Sequence, residues 1–126
     1  MSTTASLNDK IYDVESSKDS IIIVKSLADI PGGRTLDVTG FDEDYIGAGH
    51  LIAKNANGNF VPLPISGGEY IEDLTDLELV GVLKITVPID KPFAPIVTMG
   101  QVNAAASPYT VTDALKALIP NINFIY

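Results

Sequence analysis

The chain has no cysteine and no tryptophan, and one histidine in 126 residues. Without cysteine there is no disulfide scaffold and no thiolate zinc site. A single histidine cannot build a multi-imidazole metal centre. Long apolar runs are missing too. The longest purely aliphatic stretch is Ile21–Val24, far short of a membrane span. The opening residues, MSTTASLNDKIYDVESS, lack an apolar segment behind a basic one, so they do not read as a secretory signal. A soluble protein made in a cytoplasm is expected, with no membrane partner. Bases are also scarce. Eight Lys and Arg stand against sixteen Asp and Glu, a formal charge of -8. The imbalance is local: between Thr35 and Leu83 there are nine acids and one base, Lys54, while the remainder of the chain balances. Such a surface repels phosphate, which excludes nucleic acid as a partner.

What is present fits one domain, because this length suffices for a single core. Chemistry-bearing patterns are thin. His50, between Gly49 and Leu51, reads as a partly buried strand residue. The serines form no Gly-x-Ser-x-Gly elbow. The Gly47–Gly49 segment precedes a strand, whereas phosphate binding needs a strand followed by a helix N-terminus. The acids at Asp42–Asp44 and Glu72–Asp76 read as a solvated face. Calcium ligation is the alternative, although the spacing is not that of an EF-hand. Paired carboxylates for glycoside hydrolysis lack accompanying aromatics. No nucleophile, base and oxyanion hole come together. The expectation is a non-enzyme without cofactor or metal.

Along the chain, residues 1–19 are polar and small and predict a flexible arm. Its sizeable apolar groups are Leu7, Ile11, Tyr12 and Val14. They are idle, or they order on a partner as an added strand. Residues 20–126 form the domain. SIIIVK predicts a buried strand, and Thr35–Thr39 a short one with Leu36 and Val38 on one face. HLIAKNANGNFVPLP predicts a hairpin with a two-residue type I′ turn at Asn57-Gly58. Its second strand should lie at an edge, since Pro62 and Pro64 cannot donate to a ladder. YIEDLTDLE is a helical turn or an irregular loop. LELVGVLKITVPI predicts a strand with Leu79, Leu83, Ile85 and Val87 on one face, and Gly81 marks a bulge or a close backbone approach. IVTMGQV is a further strand. Thr110 or Thr112 caps a short helix whose buried stripe is Ala114, Leu115, Leu118 and Ile119, and Pro120 ends it. NINFIY is a final strand. The fold class is mainly β with one short C-terminal helix.

Two stretches carry a resemblance. Gly33–Pro64 holds a strand at Thr35–Thr39, an Ala-Gly segment at Gly47–Gly49 and the Asn57-Gly58 hairpin. Val80–Phe124 holds Val-Gly-Val-Leu at Val80–Leu83. Then come Gly100, Val102, Asn103 and Ala106 in a Gly-x-Val-Asn-x-x-Ala phrase, a short helix, a proline and a terminal apolar strand. Together they resemble the lambda-type small head decoration proteins of tailed phages, across most of residues 33–124. The phrases are structural rather than catalytic, and the acidic segments 42–44 and 70–79 match no part of the pattern. The resemblance implies a β-tulip-like small barrel or sandwich. It implies homotrimers on the outer surface of an expanded capsid, where they bind the major capsid protein and clamp neighbouring capsomers. It also implies an arm that orders on the shell, making Ile11, Tyr12 and Val14 the partner-contact candidates. The alternative is a glycan- or receptor-binding β-module or the base of a head fibre, which an exposed aromatic patch around Phe41 and Tyr45 would favour.

Overall fold

The computed structural model describes residues 19–71 and 73–125. A single helical turn, α1 (Asp19–Ile22), leads into β1 (Ile23–Asp29). There follow β2 (Arg34–Thr35), β3 (Tyr45–Ile46), β4 (Leu51–Asn55), β5 (Phe60–Pro62), β6 (Ile65–Ser66) and β7 (Glu69–Tyr70). Next come β8 (Leu77–Leu83), β9 (Val87–Pro88), β10 (Phe93–Ala94) and β11 (Ile96–Asn103). A 3₁₀ turn (Ala104–Ala106), α2 (Asp113–Ala117) and β12 (Ile122–Ile125) complete the described chain. The fold is mainly β, and its sheets stack in a sandwich-like arrangement without closing into a barrel.

The main sheet runs in the order β1-β11-β8-β4-β5. Strand β11 is its spine. It pairs antiparallel with β1 along one edge. On the other edge its first residues pair antiparallel with β8, and its last four pair in parallel with β12. Two cores lie on opposite faces of this sheet. On one side, Leu51, Ala53, Leu79, Val82, Val97 and Val102 pack with Leu63, Tyr70, Val111, Leu115, Ile119 and Ile122. On the other, Ile52, Leu83 and Ile96 pack with Ile46, Val87 and Ala94 from the two-stranded sheets β3–β9 and β2–β10, and with Leu36 just after β2. Because β4 is covered on both faces, Leu51, Ile52 and Ala53 are all buried. Its apolar run is continuous rather than alternating for that reason.

The Gly81 expectation holds in both forms. Strand β8 carries a bulge there: Ile52 pairs with Gly81 and Ala53 with Leu79, leaving Val80 extra. A Cβ on Gly81 would also overlap the Val97 carbonyl oxygen. The bulge breaks the expected alternation. Leu79 belongs to one core while Leu83 and Val87 belong to the other. The strand ends at Leu83, and Ile85 is exposed.

The hairpin forms, and β5 is an edge strand. Its turn is not type I′. Only Gly58 has positive φ, the Gly58 amide donates to the Asn55 carbonyl, and the Asn55 amide donates to that of Asn59. This is a three-residue loop, Ala56–Gly58, with glycine in the left-handed position. The Asn55 side chain holds it by accepting from the amides of Asn57 and Asn59, both at 3.0 Å.

Other differences have similarly local causes. Strand β2 stops at Thr35, because the Leu36 and Asp37 amides turn to the carbonyls of Pro92 and Phe60. Leu36 and Val38 still share one core. The Leu74–Leu77 segment is an irregular loop. Asp73 Oδ1 accepts from the Thr75 amide and hydroxyl, and Asp76 takes a positive φ of 64°. Thr112 caps α2, accepting from the Leu115 amide at 3.4 Å. The buried stripe is Val111, Leu115 and Ile119, whereas Ala114 and Leu118 are exposed. The helix is too short to bury the wider stripe. The largest departure is Ile21–Val24. Ile21 and Ile22 sit in α1, where Ile22 is fully buried and Ile21 exposed, and β1 is exposed along its length apart from the half-buried Ile23.

Candidate functional site

Two surfaces stand out. The first is the ridge made by β1. Among the described residues this strand has a neighbour on one side only, and all of its residues but the half-buried Ile23 are exposed. The register shows why. Pairing jumps from Ile23–Val102 to Lys25–Gln101, and from Ser26–Gly100 to Ala28–Met99. Val24 and Leu27 are therefore the extra residues of two bulges. Both are apolar, and they are 43% and 59% exposed. Ile21 and Met99, also large and exposed, belong to the same region of α1, β1 and β11. Bulges frustrate edge-to-edge strand pairing. What this edge offers a partner is side chains rather than a backbone ladder. Its far end is pinned. Lys84 Nζ lies 3.2 Å from Asp29 Oδ2, and the Ser26 hydroxyl donates to Asp29 Oδ1. The Ser26 hydroxyl first, and Lys84 after it, hold the Asp29 carboxyl below its usual range.

The second surface is a recess of about 280 Å³ lined by Phe41, Glu43, Tyr45, Ala48, His50, Thr86 and Tyr109, among others. At its base the His50 ring is 1% exposed. Three rings meet it edge to face: Tyr70 at 5.2 Å, Phe41 at 5.5 Å and Tyr109 at 5.7 Å between centroids. His50 Nε2 lies 2.9 Å from the Leu63 carbonyl. A carbonyl only accepts, so Nε2 carries the proton and Nδ1 keeps a lone pair. Burial pushes the imidazole down to about 4, against the partial opposition of the Leu63 contact. It is neutral at pH 7. The Tyr70 hydroxyl accepts from the Leu51 amide at 3.1 Å, and burial raises its pKa. The rim is held by the Ala48 amide on Thr86 Oγ1 and by the Gly49 amide on the Leu83 carbonyl. On the other side of Phe41, a second recess of about 350 Å³ is lined by Asp37, Asp42 and Glu43 with Val61, Ile65 and Leu77.

The sequence-derived candidates fare unevenly. Ile11, Tyr12 and Val14 lie outside the described residues. Phe41 and Tyr45 are brought together, half-buried, as walls of the aromatic recess rather than as a flat exposed platform. Asp42, Glu43 and Asp44 are exposed, as are Asp73 and Asp76. Among the described residues no three His, Cys, Asp or Glu side chains gather as a metal site, and no helix is long and apolar enough to cross a membrane. The His50 cluster was not foreseeable, since its rings come from residues 41, 70 and 109. Comparison with known proteins finds no family model and no curated protein that matches the chain.

Proposed function

We propose that this protein is a structural decoration protein of a tailed-phage head. It binds the outer surface of the expanded shell as trimers and clamps neighbouring capsomers through the major capsid protein. It is not an enzyme in this reading, and it needs no cofactor. The observation that carries the reading is the β1 ridge. A seven-residue edge strand, bulged at two exposed apolar residues and flanked by Ile21 and Met99, is a poor surface to leave in water. Covering those four half-exposed side chains is worth about 1 kcal/mol each. That burial contributes to an assembly in which every copy presents the same ridge, with other contacts supplying the rest.

The sequence resemblance gives the assembly its identity, and the phrases behind it have structural roles here. Val102 and Ala106 are buried, and Asn103 caps the 3₁₀ turn by accepting from the Ala105 amide at 3.1 Å. The acidic surface suits a position outside the shell, away from packaged DNA. In this arrangement the ridge meets the next copy, and the N-terminal residues, with Ile11, Tyr12 and Val14, reach the shell. Three arms on one trimer bind multivalently, so each contact needs only modest strength. Phe41 and Tyr45 are half-buried walls of a recess rather than a flat exposed platform, which disfavours the glycan-binding alternative.

Sedimentation equilibrium tests the ridge. The wild-type chain of 13.4 kDa is expected to sediment as a trimer. A Val24→Ser/Leu27→Ser variant is expected to shift toward monomer with its fold intact. A wild-type mass that stays monomeric as concentration rises would overturn the reading.

A further inference from the structure

We propose that the recess between Phe41, Tyr45 and Tyr109 is a receptor for one basic side chain, an arginine or lysine presented by a protein partner. The inference stands on the geometry of the recess and does not require the decoration reading.

Three aromatic rings and one carboxylate dominate the lining, with small and aliphatic residues between them. Phe41, Tyr45 and Tyr109 supply aromatic rings, and Phe41 and Tyr109 each stand within 12° of perpendicular to the same imidazole, at 78° and 87°. Rings attract cations through their faces. Among the described residues Glu43 is the one acidic residue of the lining, and no Lys or Arg contributes to it. The neighbouring recess across Phe41 adds Asp37 and Asp42, again with no base among the described residues of its lining. Glu43 acts inside the recess as well as at its rim: after burial, its charge is the next cause that raises the Tyr109 hydroxyl pKa. A cationic histidine at the base would oppose a second cation. Here it is neutral, with its Nε2 proton committed to Leu63. Every group in the recess thus favours positive charge or is indifferent to it.

Size and rigidity narrow the occupant. A recess of about 280 Å³ lies at the lower limit of small-molecule sites. It takes a side chain and excludes an oligosaccharide. An anion is excluded by Glu43. The walls are preorganised by the hydrogen bonds of Ala48, Gly49 and His50, so little ordering cost opposes binding. A protein partner is favoured over a free amine because the surrounding surface is acidic well beyond the recess. It would steer a basic segment toward the site.

The test is a titration followed through the ring resonances of His50, Tyr45 and Tyr109 in the labelled full chain. The probes are N-acetyl-arginine methylamide, its neutral citrulline isostere and methyl glucoside. Saturable millimolar binding of the arginine probe is expected, with citrulline about tenfold weaker. Glu43→Gln, a change at an exposed residue, should weaken the arginine probe about threefold and leave the unliganded ring shifts in place. No saturable shift with arginine would overturn the proposal, as would equal binding of citrulline. Binding of the glucoside in place of arginine would show a sugar site instead. An unchanged affinity in Glu43→Gln would remove the charge argument.

Discussion

Between pH 6.5 and 4, acidification should destabilise this protein through the buried His50. The imidazole has an ordinary value of 6.5 and is pushed down to about 4 in the fold. Above pH 6.5 it is neutral whether the chain is folded or not, and its full contribution to stability is present. Between 6.5 and 4 the unfolded chain takes up a proton that the folded chain refuses, so stability falls with pH. The loss comes to about 2 kcal/mol at pH 5 and about 3 kcal/mol at pH 4. The rings packed on His50 belong to Phe41, Tyr70 and Tyr109, none of which titrates in that window. Asp29, Asp37 and Asp73 sit below their usual values, so they add a loss of stability of their own toward the acid end of the range. The comparison must therefore be with His50→Gln, whose amide N–H can still donate to the Leu63 carbonyl. Glutamine forfeits three edge-to-face contacts, each worth about 1 kcal/mol, so the variant starts less stable at pH 7. It should then lose less on acidification. Urea unfolding followed by far-ultraviolet circular dichroism, at one protein concentration and several pH values, measures the gap. The gap should close by about 3 kcal/mol between pH 7 and pH 4. A gap that stays constant over that range would refute a buried neutral His50.

Gly81→Ala should cost about 3 kcal/mol, since its Cβ overlaps the Val97 carbonyl oxygen of the neighbouring strand. Thermal melts should show a drop of about 10 °C, and a change of under about 2 °C would contradict the bulge. Gly49→Ala should also destabilise, because φ there is +90° and the new methyl meets the buried Ile22. Thr112→Ala should lose about 1 kcal/mol in urea titrations while Thr110→Ala loses little, which distinguishes the two capping candidates. Deleting residues 2–18 should leave the melting transition in place and abolish shell binding. Full decoration of shells by the shortened chain would dismiss the arm as a contact.

Much of the fold was legible because it is encoded locally. The Asn57-Gly58 pair marks a hairpin, Pro62 marks an edge and Gly81 marks a bulge, each through the backbone behaviour of one or two residues. The turn type escaped because a side chain decides it, Asn55 accepting from two amides of the loop. Faces were harder. Strand β8 was read as one alternating run, but the bulge at Val80–Gly81 reverses its parity midway. Ile21–Val24 was read as buried because β-branched runs usually are. Ile22 is buried and Ile23 half-buried, but Ile21 and Val24 are exposed because β1 lies beyond β11 at the sheet edge, which is a fact of topology. Ala114 and Leu118 fell outside the core because α2 has only five residues. The aromatic recess was least accessible. Phe41 and Tyr45 stand out together in the sequence, but the ring that ties Phe41 to Tyr70 and Tyr109 is a histidine packed against all three.

Expanded empty shells stripped of accessory protein provide the most direct measurement. Purified protein is mixed with them and sedimented, with unexpanded shells as the control, and the bound copies are counted. Saturation at a multiple of three copies per binding position, on expanded shells alone, is the expected result. A protein that stays in the supernatant with both kinds of shell, or binds both equally, would contradict a decoration role.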